Sequence, residues 1–428
     1  MAANFKVWTA NFGKQSASAY YRILVPQRCL MEMGYANAYS SSAETQEDFA
    51  AMLYSDVAQL YAIIGDYWLQ KVKRVNAIHP AIRDGQPIYP PSFIYDIDDN
   101  NDYVHPFNMF FNKYGVREYP TNKLLKPGDG LEIMDHNGKQ ISQWVDKETV
   151  YDGVMFDVER NLRDMKLRHE LLRECQGVTC PSLALANYFK QVVGVQSTYF
   201  FPNTIVPSDY KSFPVQRKNP TEIRIVWQGG QSHFVDWYPL RFAVREISQK
   251  YPQVKWVIYG QWYNWVHEFI PDDRIEYHPW DDYAAYKLHR GLLDCDINIC
   301  PLANNPFNIC KSDIKYTEAS IWERPEATLA ANVGPYKHIT DGVDGLLYNT
   351  PEEFVQKLSA LIENADLRKK VAQGAREWTL KNRTPEATIP GLFDYYAEVR
   401  ARHKRELGVP IIKTATVEDA KKMMIPMR

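Results

Sequence analysis

Short apolar runs alternate along this chain with longer segments whose apolar residues recur at helical spacing, the rhythm of repeated β-α units. In the first part the runs predict strands over Phe5–Trp8, Ala36–Tyr39, Leu60–Ile64, Phe93–Ile97, Val178–Cys180 and Tyr199–Phe201, with helices such as Tyr21–Met33 and Tyr67–Ile78 between them. A stretch from His105 to Asp152 breaks the rhythm. Within it Leu131–Val145 predicts a hairpin turning on Asn137-Gly138. Met155, Val158, Leu162, Met165 and Leu172 then share one face of a long helix. Arg160, Arg163, Lys166 and Arg168, interleaved with acids, mark a solvated face on it rather than a nucleic-acid stripe.

A polar, proline-marked segment from Pro207 to Pro220 reads as a linker, and a second series of units starts behind it. Its predicted strands are Ile223–Trp227, Lys255–Tyr259, Arg274–Tyr277, Ile297–Cys300, Ala327–Ala330 and Leu346–Tyr348, and its last helices are Pro351–Asn364 and Asp366–Lys381. The pattern thus predicts an α/β protein of two Rossmann-like domains with mainly parallel sheets. We divide it into a first domain over 1–210 with a β-hairpin insertion at about 105–152, a second over 216–383, and a helical extension over 384–428.

The length of 428 residues fits two domains of ordinary size. A net charge of -2 gives no global field toward a polyanion or an anionic membrane. Only the tail is basic, with eight Lys or Arg against three Asp or Glu from Arg400 to Arg428, a possible contact for nucleic acid or lipid or simply a solubilising end. The six cysteines form no C-x-x-C pair and read as buried free thiols, and no metal site is predicted. No segment approaches the length of a membrane span, so a cytoplasmic protein is expected. The aromatic share of 13% is high. The rings around Tyr103–Tyr119 and Trp256–Trp265 could stack on sugars or bases, although core packing accounts for most of them.

In parallel sheets ligands bind beyond the carboxyl ends of the strands, which directs attention to five loops. After Ile297–Cys300, Lys311, Ser312, Lys315 and Glu318 surround the start of a helix, with Ser312 or Asp313 placed to cap it. Helix N-termini and lysines suit a phosphate, and a carboxylate two turns in suits a pair of sugar hydroxyls. A solvated Lys-Glu pair is the plain alternative. Gly229 and Gly230 allow backbone to approach a diphosphate to which Ser232 or His233 donates, or simply make a tight turn. Asp98 and Asp99 end a strand of the first domain, where they orient an acceptor hydroxyl or cap a turn. Gly13, Tyr21 and Arg22 follow the first strand, with Arg22 a candidate to hold an anion. Gly334 and Tyr336 lie in a further loop whose backbone amides are candidates for the site.

The order of Tyr21-Arg22, Asp96-Ile-Asp-Asp99, Pro202-Asn203, Gly229-Gly-Gln-Ser-His233, Lys311-Ser312, Lys315, Glu318 and Gly334-Pro-Tyr336 resembles the nucleotide-sugar-dependent glycosyltransferases of GT-B fold, most closely their retaining family four. The resemblance implies two domains facing a cleft and a UDP- or GDP-sugar type donor held by the second domain, with no obligatory cofactor. The acceptor, on the first domain, would be a saccharide, a lipid-linked saccharide or a hydroxymethylated DNA base. Glu318 then corresponds to the carboxylate on the donor ribose, and Lys311 with Phe307–Ser312 to the diphosphate and sugar contact. The family often carries a glutamate eight positions before that carboxylate, where this chain has Cys310, so Asn308 is taken as the substitute. Retention requires no enzymic nucleophile, and His233 or Asp98 is the candidate to assist the acceptor. A sugar- or nucleotide-binding protein without catalysis is the alternative within this fold. A dinucleotide oxidoreductase would need a G-x-G-x-x-G after its first strand, which is not found here.

Overall fold

The computed structural model describes residues 5–10, 16–42, 45–61, 63, 65–83, 86–135, 137–213, 217, 219 and 221–408. Gly13, and the tail cations Lys413, Lys421, Lys422 and Arg428, lie outside them.

Two six-stranded sheets, parallel throughout, form the frame. The first contains β1 (Lys6–Ala10), β2 (Asn37–Ser41), β3 (Val57–Tyr61), β4 (Ser92–Asp96), β5 (Gly177–Cys180) and β6 (Thr198–Phe200), in the order β6-β5-β4-β3-β1-β2. The second contains β7 (Ile223–Gly229), β8 (Val254–Gly260), β9 (Ile275–Pro279), β10 (Ile297–Cys300), β11 (Ala327–Ala331) and β12 (Leu346–Tyr348), in the order β9-β8-β7-β10-β11-β12. Helices on both faces bury β3, β4, β10 and β11 completely, which is why these strands read as near-continuous apolar runs. The second sheet reverses its winding between β7 and β10, and a ligand crevice belongs at the carboxyl ends there.

The strand expected at Leu60–Ile64 instead begins at Val57. Its buried Gln59 accepts from the Thr9 hydroxyl at 3.1 Å, a tertiary bond that no hydropathy pattern displays. The helix expected at Tyr21–Met33 starts at Ala17 and passes through a π-helical turn, Tyr20–Leu24, before Val25–Glu32. Such turns re-aim side chains; this one carries Tyr20, Tyr21 and Arg22. The hairpin forms from Gly130–Met134 and Gln140–Val145, with Gly138 at φ 75° in its turn. Arg168, expected on a solvated face, is buried and pairs with Asp102 Oδ1 at 2.5 Å. His169, Arg168 and Tyr188 hold the Asp102 carboxyl well below its usual range against the cost of burial.

The helix Pro385–Leu407 returns to the first domain. Ile389, Leu392, Tyr395, Tyr396 and Val399 complete a core with Val7, Leu30, Val57 and Ile94. Arg400 of the basic tail is buried there, with its guanidinium on Asp56 at 3.2 Å and the Pro90 carbonyl at 2.5 Å, so it is not available to a polyanion. The chain therefore crosses between the domains twice, and the crossings are bonded side by side. The Ile205 amide donates to the Arg383 carbonyl at 2.7 Å, and the Thr204 and Thr388 hydroxyls meet at 2.7 Å.

All six cysteines are buried free thiols. Among the described residues no helix is long and apolar enough to cross a membrane. Because the last helix fills the first core, Leu392→Ala should destabilise that domain by ~2–5 kcal/mol, as for a buried leucine, and so lower the urea midpoint of its unfolding transition. An unchanged midpoint would separate that helix from the core.

Candidate functional site

The carboxyl ends of β7 and β10 open on a cavity of about 300 Å³ between the domains. Tyr21, Arg22, Asp98, Asp99, Gly229, Gly230, His233, Lys311, Ser312, Lys315, Glu318 and Tyr336 all line it. Gly229 is required by close packing, since a Cβ there would sit 2.8 Å from the Trp227 ring.

Lys315 occupies the first turn of the helix Ile314–Ile321. Its Nζ is buried with no hydrogen-bond partner among the described residues, 5.7 Å from the centre of the Trp227 ring. Burial pulls its pKa down to about 8, opposed by the Asp236 charge. The helix has no side-chain cap, contrary to the capping expected of Ser312 or Asp313. Asp313 turns instead to Arg383 at 2.7 Å and His338 at 3.0 Å. Ser312 Oγ accepts from the Asn203 amide at 3.2 Å, and Lys311 Nζ stands 3.5 Å from Asp99 across the cleft. A bare ammonium, a second lysine and uncapped helix amides thus converge on one space, an arrangement that attracts an anion.

Glu318 is satisfied where Lys315 is not. The hydroxyls of Tyr21 and Tyr283 lie against Oε1, the latter at 3.2 Å, while the Tyr286 hydroxyl and Gln228 amide lie on Oε2 at 3.0 and 3.2 Å. Burial and the Glu318 charge hold all three phenols well above their usual pKa, so they remain donors. Tyr283 and Tyr286 were missed in the sequence. Their i, i+3 spacing on Tyr283–Leu292 places them together, but nothing local points them at a carboxylate more than thirty residues later.

His233 Nδ1 meets Asp236 Oδ2 at 2.6 Å. Burial and the Lys315 charge push the imidazole pKa down to about 3. The His233 hydrogen bond keeps Asp236 ionised despite its burial. Nδ1 therefore carries the proton and Nε2 is an acceptor, so His233 is not the phosphate donor expected of it. Asp236, three positions on, was the signal for this pair.

Three expected residues are committed to other contacts. The Asn308 side-chain amide is committed to Asp236 Oδ1 at 2.6 Å and the Ala303 carbonyl at 3.0 Å, and it does not line the cavity. Gly334, at φ 47°, packs against the Ile309 backbone, where a Cβ would lie 2.7 Å from Ile309 Cα. Arg22 borders the cavity, but its guanidinium is spent on Asp96 at 2.9 and 2.7 Å and on the Phe201 carbonyl at 2.7 Å, which removes it as an anion holder. Cys310 is buried against the first domain's core and its sulfur accepts from Asn100 at 3.5 Å. Asp98 accepts from the Tyr61 hydroxyl at 3.1 Å on the opposite wall.

No protein-family model and no curated sequence matches the chain. Solved structures do. Sucrose-phosphate synthase from Thermosynechococcus elongatus aligns with TM-score 0.56 at 11% identity, over 93% of this chain and 100% of that one. HepE from Anabaena, in complex with UDP and glucose, aligns with TM-score 0.53 at 12% identity, over 92% and 100%. A glycosyltransferase from Rickettsia africae aligns with TM-score 0.54 at 10% identity, over 92% and 98%. Identities this low show the fold, which is the GT-B arrangement of two Rossmann-like domains across a cleft.

The isolated ammonium sets a pH dependence. Lys315 titrates near 10.5 when unfolded and about 8 when folded, so the unfolded chain binds the extra proton between those values. Its penalty, on the order of 3 kcal/mol, is complete below about pH 8 and is relieved as pH rises toward 10.5. Lys315→Met should therefore raise the ligand-free melting temperature at pH 7 and flatten that alkaline gain. An unchanged melting profile would contradict the isolated charge.

Proposed function

We propose that this protein transfers a sugar from a nucleoside-diphosphate sugar to an acceptor hydroxyl. The observation that carries the reading is the buried, unpartnered Lys315 ammonium at an uncapped helix N-terminus in the interdomain cavity. The leaving diphosphate gains negative charge as the sugar–oxygen bond lengthens, and a fixed cation with aligned amides stabilises that charge without reorganisation. Lys311 and Ser312 extend the same wall, while Gly229 and Gly230 admit the phosphates close to backbone. Glu318 accepts the ribose hydroxyls once a tyrosine yields its place. Trp280, 62% exposed at the cavity mouth, offers a face to the base. HepE has been solved with UDP and with UDP-glucose, which supports a uridine donor here.

The acceptor approaches past Asp98 and Asp99. In our reading its hydroxyl attacks from the leaving-group side with retention, and the departing phosphate takes the proton. His233 Nε2, a neutral acceptor, orients a sugar hydroxyl. A second reading has one observation in its favour: Cys310 stands where the resemblance expects a glutamate on the transferred sugar, as suits a protein that binds the nucleotide sugar and does not transfer it.

Incubation with UDP- and GDP-sugars should raise the melting temperature and release free nucleotide slowly by hydrolysis. Lys315→Met should cut that turnover by about 10²–10³-fold, the cost of losing one preorganised charge contact. Stabilisation without any turnover would favour the binding protein, and stabilisation by NADH alone would overturn both readings. Donor affinity should also weaken above about pH 8, where free Lys315 loses its proton.

A further inference from the structure

A second cavity of about 300 Å³ lies between the insertion and the second domain. It begins where the first one ends. On the turn after β7, His233 faces the interdomain cavity, whereas Gln231 and Phe234 face this one. The opposite wall comes from Phe107, Gln143, Trp144 and Tyr151.

The lining is unusual in what it excludes. In a chain with 24% charged residues, no Asp, Glu, Lys, Arg or His among the described residues lines this space. Five aromatic residues and three glutamines do, joined by one serine, one threonine and the apolar Pro106, Met109 and Ile141. Two of the rings are held firmly: Trp144 Nε1 donates to the Pro106 carbonyl at 2.6 Å, and the Tyr263 hydroxyl donates to the Gly230 carbonyl at 3.2 Å. Phe107 meets Phe234 edge to face across the gap, with centroids 5.8 Å apart. Tyr151 remains 43% exposed at the rim.

We propose that this cavity is a subsite for an uncharged oligosaccharide, the part of the acceptor remote from the reacting hydroxyl. The proposal rests on the glycosyl-transfer reading and gives its acceptor a chemical class. A pyranose presents an apolar C–H face and a rim of hydroxyls, which match fixed aromatic faces flanked by neutral amides. A nucleic-acid strand also stacks on aromatics, but its phosphates need Lys or Arg beside them, and none of the described residues lining the space is either. An acyl chain would offer no hydrogen bond to this polar rim, where Gln143 Oε1 already accepts from Gln140 at 3.2 Å and Gln261 Nε2 already donates to the Trp262 carbonyl at 2.7 Å.

Saturation-transfer NMR with maltohexaose, cellohexaose, laminarihexaose and chitopentaose tests this, with UDP and GDP binding measured on the same samples. At least one oligosaccharide should bind, and Tyr151→Ala and Gln143→Ala, both on the exposed insertion, should each weaken it fivefold or more with nucleotide affinity unchanged within twofold. Binding of none, binding unaffected by both variants, or tighter binding of a dT12 strand that both variants weaken would overturn the subsite. Nucleotide binding that persists in those cases leaves the donor reading standing, while loss of nucleotide binding by the unaltered protein overturns that reading.

Discussion

A buried carboxylate must find donors for its oxygens or abandon its charge, and Glu318 meets that demand by drawing on both domains. Tyr21 comes from the first domain's π-helical turn, while Tyr283 and Tyr286 come from one helix of the second domain and Gln228 from β7. Tyr210 of the connecting segment joins them through the Tyr21 hydroxyl at 2.5 Å. The domains thus share a polar network at the cavity beside apolar contacts such as Phe307 in the insertion's core, and hydroxyls of a ligand can exchange places with the phenols at modest cost. The π-helical turn follows from the same constraint, because it presents Tyr21 to Glu318 while the next residue, Arg22, turns inward to Asp96.

Three residues along the helix the logic inverts. Lys315 Nζ is buried with no hydrogen-bond partner among the described residues, and a ligand in the cavity it lines would supply one. The contrast between satisfied anion and unsatisfied cation gives the cavity its polarity. The neutral His233 beside it adds an acceptor and no competing charge, because Asp236 fixes its tautomer.

The strands were legible because sheets covered on both faces leave apolar runs that no surface element imitates; β10 and β12 coincide with their expected spans. The misplaced β3 shows the limit, since its polar Gln59 is paid for by Thr9 from a neighbouring strand. The same limit governs the cavity. Lys311, Lys315 and Glu318 could be grouped from spacing on one helix, but the commitments of Arg22 and Asn308 could not, because Asp96 and Asp236 lie more than seventy residues from them. Spacing reveals which side chains share a face and not which of them already have partners.

The paired crossings near Ile205 and Arg383 bear on motion. One flexible tether would let the domains twist, slide and tilt independently, whereas two chain segments bonded to each other behave like the knuckles of a door hinge. They leave a swing about one axis as the soft movement. Opening then becomes a path along a single coordinate, and Tyr21 and Glu318 would return to the same register after each cycle without being guided there by a ligand.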